Sequence, residues 1–155
     1  MIELIIRIVP IVISLSAFGV ALLGYRNAKQ SNVADFFKHG DSDEHKEYRL
    51  RLYETYKSTD DKTERLKRFL ELEKETQALS KIISFYDFWS IMVKRKYLPF
   101  DIFDGMAGEA AINVHEQIMQ YIEFRRNEKE SYMSEYYARE YSELVCKIKN
   151  TYRKK

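Results

Sequence analysis

Residues 8–24 form an apolar run without a single charged side chain, and the chain turns basic immediately after it, at Arg26 and Lys29. Ile8, Val9, Ile11, Val12, Ile13, Leu15, Phe18, Val20, Leu22 and Leu23 each favour transfer into a bilayer by roughly 0.3–0.6 kcal/mol, together about 3–6 kcal/mol. That sum outweighs Ser14, Ser16, two glycines and Pro10. As a helix the run is about 25 Å long, close to a hydrocarbon core of about 30 Å, and Leu4, Ile5 and Ile6 extend it if Arg7 snorkels. The sequence therefore predicts a transmembrane anchor with its helical extension over residues 1–30 and a helical domain over 31–155.

A retained anchor is favoured over a cleaved signal peptide. Glu3 accompanies Arg7 before the run, no small-x-small site follows it, and basic residues do. Ala17 and Ala21, four apart beside Gly19, offer a face on which two spans could pack, although ordinary span composition explains them as well. Arg26, Lys29 and Lys38 lie on the C-terminal side of the run against Arg7 alone on the other. The positive-inside bias then leaves the N-terminus outside and the domain in the cytoplasm. The single cysteine, Cys146, agrees with a reducing compartment and is expected to be a small apolar residue beside Leu144, Val145 and Ile148.

The remaining residues are enough for one domain that buries a core without disulfides or metal. With 26 basic against 24 acidic residues, the chain has no bulk electrostatic case for nucleic acid, which is an unlikely partner. Two prolines, five glycines and the lack of strand-like alternation predict an all-α fold, an irregular bundle of about four soluble helices. The span is expected to continue as helix to about Phe37 and to stop at His39 and Gly40. Asp41 with Glu44, and Asp61 with Glu64, read as capping-box starts. The second opens one long helix to about Lys96. Its later half, with Leu79, Ile82, Ile83, Phe85, Tyr86, Phe88, Trp89, Met92 and Val93, is apolar on several faces and is the expected central element. After Leu98 and Pro99, a helix carries Ala107, Ala110, Val114, Ile118 and Tyr121 to about Arg125. The last stripe is Met133, Tyr137, Tyr141, Leu144, Ile148 and Tyr152.

Taken together, Phe85-Tyr86-Asp87-Phe88-Trp89, Met92-Val93-Lys94-Arg95-Lys96-Tyr97-Leu98 and Tyr121-Ile122 with Arg125-Arg126 resemble a broad bacterial family of uncharacterised single-span proteins with a cytoplasmic all-helical domain. The Lys96-Tyr97 pair stands where a glycine is expected. The resemblance implies architecture and location, with no catalytic residue to carry over.

No residue pattern defines a reaction, a cofactor or a small-molecule substrate. His39, Asp41, Asp43, Glu44 and His45 concentrate metal-ligating side chains, but helix starts explain the carboxylates and an apolar seam with Tyr48 explains His45. His115 beside Glu116, and Asp101 near Asp104, are likewise read as helix residues and caps. Gly105 and Gly108 suit close helix packing. The basic stretches Lys94, Arg95, Lys96 and Arg153, Lys154, Lys155 are the candidate contacts to the bilayer or to a protein partner, weighed against plain solvated helix ends. The preferred function is a membrane-anchored helical interaction or regulatory module, with a protein partner or self-association as the expected contact. The alternative is a membrane effector in bacterial defence or toxin biology that acts through oligomerised spans.

Overall fold

The computed structural model describes residues 2–128 and 134–153, with side chains from 14 to 128 and from 135 to 153. Among the described residues the fold is all-α, with six helices and no strand: α1 (Ile2–Gly40), α2 (Asp43–Lys57), α3 (Lys62–Glu71), α4 (Glu73–Lys94), α5 (Met106–Arg126) and α6 (Arg139–Tyr152). Short 3-10 turns precede α5 (Phe100–Phe103) and α6 (Ser134–Tyr136). Met133, part of the expected last stripe, lies outside the described residues.

Helix α1 runs unbroken out of the apolar tract, past residue 30, and into the bundle. Leu15, Phe18, Val20, Leu22 and Leu23 are exposed, whereas Phe36 is buried. Its ring lies 5.5 Å from Trp89 and 5.3 Å from Phe103, edge-on to both, and 5.7 Å from Phe85. The helix is continuous across residue 30, in line with the expected extension to about Phe37. Among the described residues no helix is long and apolar enough to cross a membrane. The side chains of residues 8–13 lie outside that description, so the expected span is described only in part.

Expected and observed helix ends differ in instructive ways. Helix α1 does stop at Gly40, but without a left-handed glycine, since the one glycine at positive φ among the described residues is Gly105 at 81°. Ser42 caps α2 in place of Asp41, its hydroxyl accepting from the His45 amide. Asp61 caps α3 as expected, accepting from the Thr63 amide at 2.8 Å. The single long helix is two helices. At Leu72 the backbone is extended (φ −92°, ψ 112°), and Thr76 Oγ1 donates to Phe69 O at 2.8 Å, a carbonyl that the break sets free, while Leu72 O accepts from the Thr76 amide at 3.0 Å. The bend turns Phe69 into the core while Leu70 and Leu72 stay exposed. Among the described residues the helices after α1 therefore number five, against about four expected.

Helix α4 is the centre, packing on α2, α3 and α6. It supplies Ala78, Leu79, Ile82, Ile83, Tyr86 and Trp89 to a core completed by Leu52, Ile118, Ile122, Tyr141 and Ile148. Cys146 corrects its expected role: it is exposed, on the outer side of α6 from Leu144, Val145 and Ile148.

Candidate functional site

The aromatic segment of α4 is largely structural, residue by residue. Phe85 packs its ring 4.2 Å from the ring of His45. Tyr86 stacks on Tyr141 at 4.6 Å with planes only 7° apart. Asp87 Oδ1 accepts from the Tyr141 amide at 3.0 Å. This bond substitutes for the cap that α6 lacks locally, because its first flanking residue is Ala138 in the left-handed conformation. Burial raises the Asp87 carboxyl above its usual range, opposed by the bonds it accepts. Trp89 is buried, and Phe88 alone of the five is exposed.

Arg126 closes the other side of the same junction. Its guanidinium donates to Tyr137 O at 2.9 Å, Ala138 O at 3.2 Å and Ser142 Oγ at 2.9 Å, holding the C-terminus of α5 against the start of α6. His115 Nε2 stands 3.1 Å from that Ser142 Oγ, a distance at which a serine nucleophile and a histidine base would meet. The bonding argues otherwise. Ser142 donates its only hydroxyl hydrogen to Ala138 O at 3.0 Å, so its lone pairs serve Arg126 and His115. With the hydroxyl hydrogen on Ala138 O, it is not directed at Nε2 as a serine nucleophile's would be. Burial, helped by Lys149 and Arg126, lowers the His115 pKa to about 4 and keeps the ring neutral.

A cleft of about 530 Å³ opens between the end of α1, the start of α2 and the outer side of α4, with Phe88, Trp89 and Met92 on one wall and Asp35, Glu44 and Lys81 at the edges. His45 borders it. Its Nε2 has no hydrogen-bond partner, and burial beside Arg49 lowers its pKa to about 4, as suits a neutral ring seated on Phe85. Among the described residues no three His, Cys, Asp or Glu side chains converge as a metal ligand set. The cleft thus joins apolar and aromatic walls to charged edges.

The basic candidates do not form one patch. Lys94 is engaged by Glu140 at 2.8 Å and Glu143 at 3.3 Å in the first turns of α6. Arg153 follows the last turn of that helix, about 20 Å away at 1.5 Å per residue. Lys154 and Lys155 lie outside the described residues. Arg95 and Lys96 are exposed, without a carboxylate partner among the described residues. Lys96 takes φ 63°, a left-handed conformation that favours glycine, the residue the family resemblance leads one to expect at this pair. Two residues the sequence reading did not single out hold the turn: Tyr25 donates from its hydroxyl to Lys96 O at 3.0 Å, and Asn32 Nδ2 donates to Tyr97 O at 3.0 Å. Contacts so distant in sequence leave no local signal.

The sequence model of the family described as Domain of unknown function (DUF4760) matches residues 11–147, and the chain belongs to that family. The match begins inside the apolar tract and extends through all but the end of α6. No curated protein and no solved structure matches the chain.

Proposed function

Starting from membership of that family, we propose that the protein is a membrane-anchored, non-enzymatic helical module that presents its bundle to a protein partner at the cytoplasmic face of a bilayer. The observation that carries this reading is the division of α1, exposed and apolar through Leu15, Phe18, Val20, Leu22 and Leu23 yet buried in the bundle at Phe36. A helix apolar around its whole circumference needs a lipid or protein environment, and its junction with the bundle is a continuous helix rather than a loose tether. Arg26, Lys29 and Lys38 favour a cytoplasmic bundle. The exposed Phe88 beside the α1–α4 cleft is the preferred partner contact.

A reporter fused after Lys155 is expected to behave as cytoplasmic, and the chain to resist carbonate extraction. Crosslinking and affinity capture of the intact protein from its membrane is expected to recover a partner that is lost on Phe88→Ala. An exported reporter or a carbonate-soluble chain overturns the anchor. Recovery of only further copies of the chain, with a leaking bilayer, would replace the partner-binding role with the membrane-effector role.

A further inference from the structure

The turn that follows α4 meets α1 at the point where the apolar tract ends. Tyr25, whose hydroxyl donates to Lys96 O at 3.0 Å, is the first residue after Gly24. Seven residues further along α1, on the same helical face, Asn32 holds Tyr97 O. The turn is rigid in itself, since the amides of Tyr97 and Leu98 both donate to Met92 O, at 2.9 and 3.1 Å, and Leu98 is buried. It therefore has a fixed height relative to the end of the apolar tract, between the levels of Tyr25 and Asn32 on α1.

The headgroup layer extends about 5–7 Å beyond the hydrocarbon on each side. With the hydrocarbon edge at Gly24, that layer covers about the first turn of helix after it, and the turn held between Tyr25 and Asn32 borders it. The exposed groups at this level are chemically matched to it. Tyr25 and Tyr97 are each about half exposed, at 49% and 50%, and tyrosine is enriched where apolar interior meets headgroups. Arg95 and Lys96 are exposed and unpaired by carboxylates among the described residues, whereas Lys94, one residue earlier, is neutralised by Glu140 and Glu143. Lys96 also keeps a long side chain at φ 63°, where glycine would be at ease.

We propose that Arg95, Lys96 and Tyr97 form a headgroup-binding edge that docks the bundle on anionic phospholipid, fixing its orientation to the membrane rather than leaving it suspended from the anchor. This rests on the anchored reading above and adds the surface and its ligand class. The turn adds Arg95 and Lys96 to the exposed Arg26 of α1 beside Tyr25; Lys94 is excluded, and Arg153 lies at the other end of α6.

The test uses the full chain carrying Cys146→Ser, in nanodiscs of phosphatidylcholine alone or mixed with phosphatidylglycerol. A polarity-sensitive fluorophore is attached at Phe18→Cys or at Tyr97→Cys. The label at 18 is expected to report hydrocarbon in both discs. The label at 97 is expected to move to an apolar-shifted emission only with the anionic lipid, and to return as salt rises. Arg95→Gln and Lys96→Gln should each lower the ratio of docked to undocked bundle by about fivefold. Lys96→Gly, which removes the charge while easing the backbone, should lower it as Lys96→Gln does without lowering the melting temperature.

A label at 97 that stays water-like in both discs while the label at 18 is in hydrocarbon overturns the docking edge and leaves the anchor standing. An identical shift at 97 in neutral and anionic discs overturns the charge recognition. Wild-type docking by Lys96→Gly removes Lys96 from the edge. A water-like label at 18 overturns the anchor and the edge together.

Discussion

Gly108 and the two buried histidines show how single side chains are constrained by their surroundings. A Cβ at Gly108 would collide with the backbone carbonyl of Phe103 and with the hydroxyl of Tyr152, and a backbone carbonyl cannot swing aside as a flexible side chain would. Gly108→Ala gains up to about 1 kcal/mol of helix propensity but overpacks the α5 contact at a cost of about 1–3 kcal/mol, so a net loss of melting temperature is expected. Gly24→Ala, with nothing near its Cβ, should leave the melt of the bundle unchanged. The histidines predict a pH dependence with a definite sign. His45 and His115 are held at about 4, below the ordinary value of 6.5, so the unfolded chain binds their protons more readily. The stability they contribute is complete above about pH 6.5, falls as pH drops from there toward about 4, and changes no further below, by up to roughly 3 kcal/mol for each. Denaturation at stepped pH should show this slope. His45→Phe, which keeps a ring against Phe85 and removes the unpartnered Nε2, should flatten part of it and raise stability near pH 5.

At the scale of helices, the junction of α4, α5 and α6 depends on polar side chains that reach across from other elements. Asp87→Ala removes the acceptor for the Tyr141 amide and is expected to cost about 0.5–2 kcal/mol, the range of a lost N-cap, read as a lower denaturation midpoint with earlier exchange of the first α6 amides. Such a cap is invisible to local reading, because Asp87 is 54 residues from the amide it serves. The core faces were legible: Leu52, Trp89, Ile118 and Tyr141 all fall where 3.6-residue periodicity puts them, and all are buried. The break at Leu72 was not, because no glycine or proline marks it and a tertiary demand, the burial of Phe69, decides it. Cys146 was misjudged by its neighbours in sequence, since adjacent helical positions point in different directions and Leu144, Val145 and Ile148 already define the inner face. Of the surface argued to touch lipid, the charges were visible in the sequence. Their height beside Tyr25 was not, because it depends on a contact 71 residues long.

For the whole molecule, the decisive question is whether the bundle and α1 are separable, and the answer turns on where α1 is cut. Phe36 is a core residue, 5% exposed and in ring contact with Phe85, Trp89 and Phe103, although it belongs to the helix that emerges from the apolar tract. A fragment of residues 31–155 keeps Phe36 and the Asn32 bond to Tyr97 O, losing the Tyr25 bond alone from the described contacts of α1 with the turn after α4. It is expected to fold and to melt within a few degrees of the bundle in the full chain. A fragment of residues 41–155 lacks Phe36 and leaves Phe85, Trp89 and Phe103 facing an empty position. The loss should be about 3–5 kcal/mol, as for truncation of a buried phenylalanine, which is a large part of the stability of a domain this size. Trp89 is the sole tryptophan, so its fluorescence reports the change directly. A red-shifted emission and a lower denaturation midpoint in the shorter fragment, both reproduced by Phe36→Ala in the longer one, are the expected results. If the two fragments melt alike with the same tryptophan emission, α1 contributes no core and is only a tether, and the fixed height argued for the turn at Lys96 loses its mechanical basis.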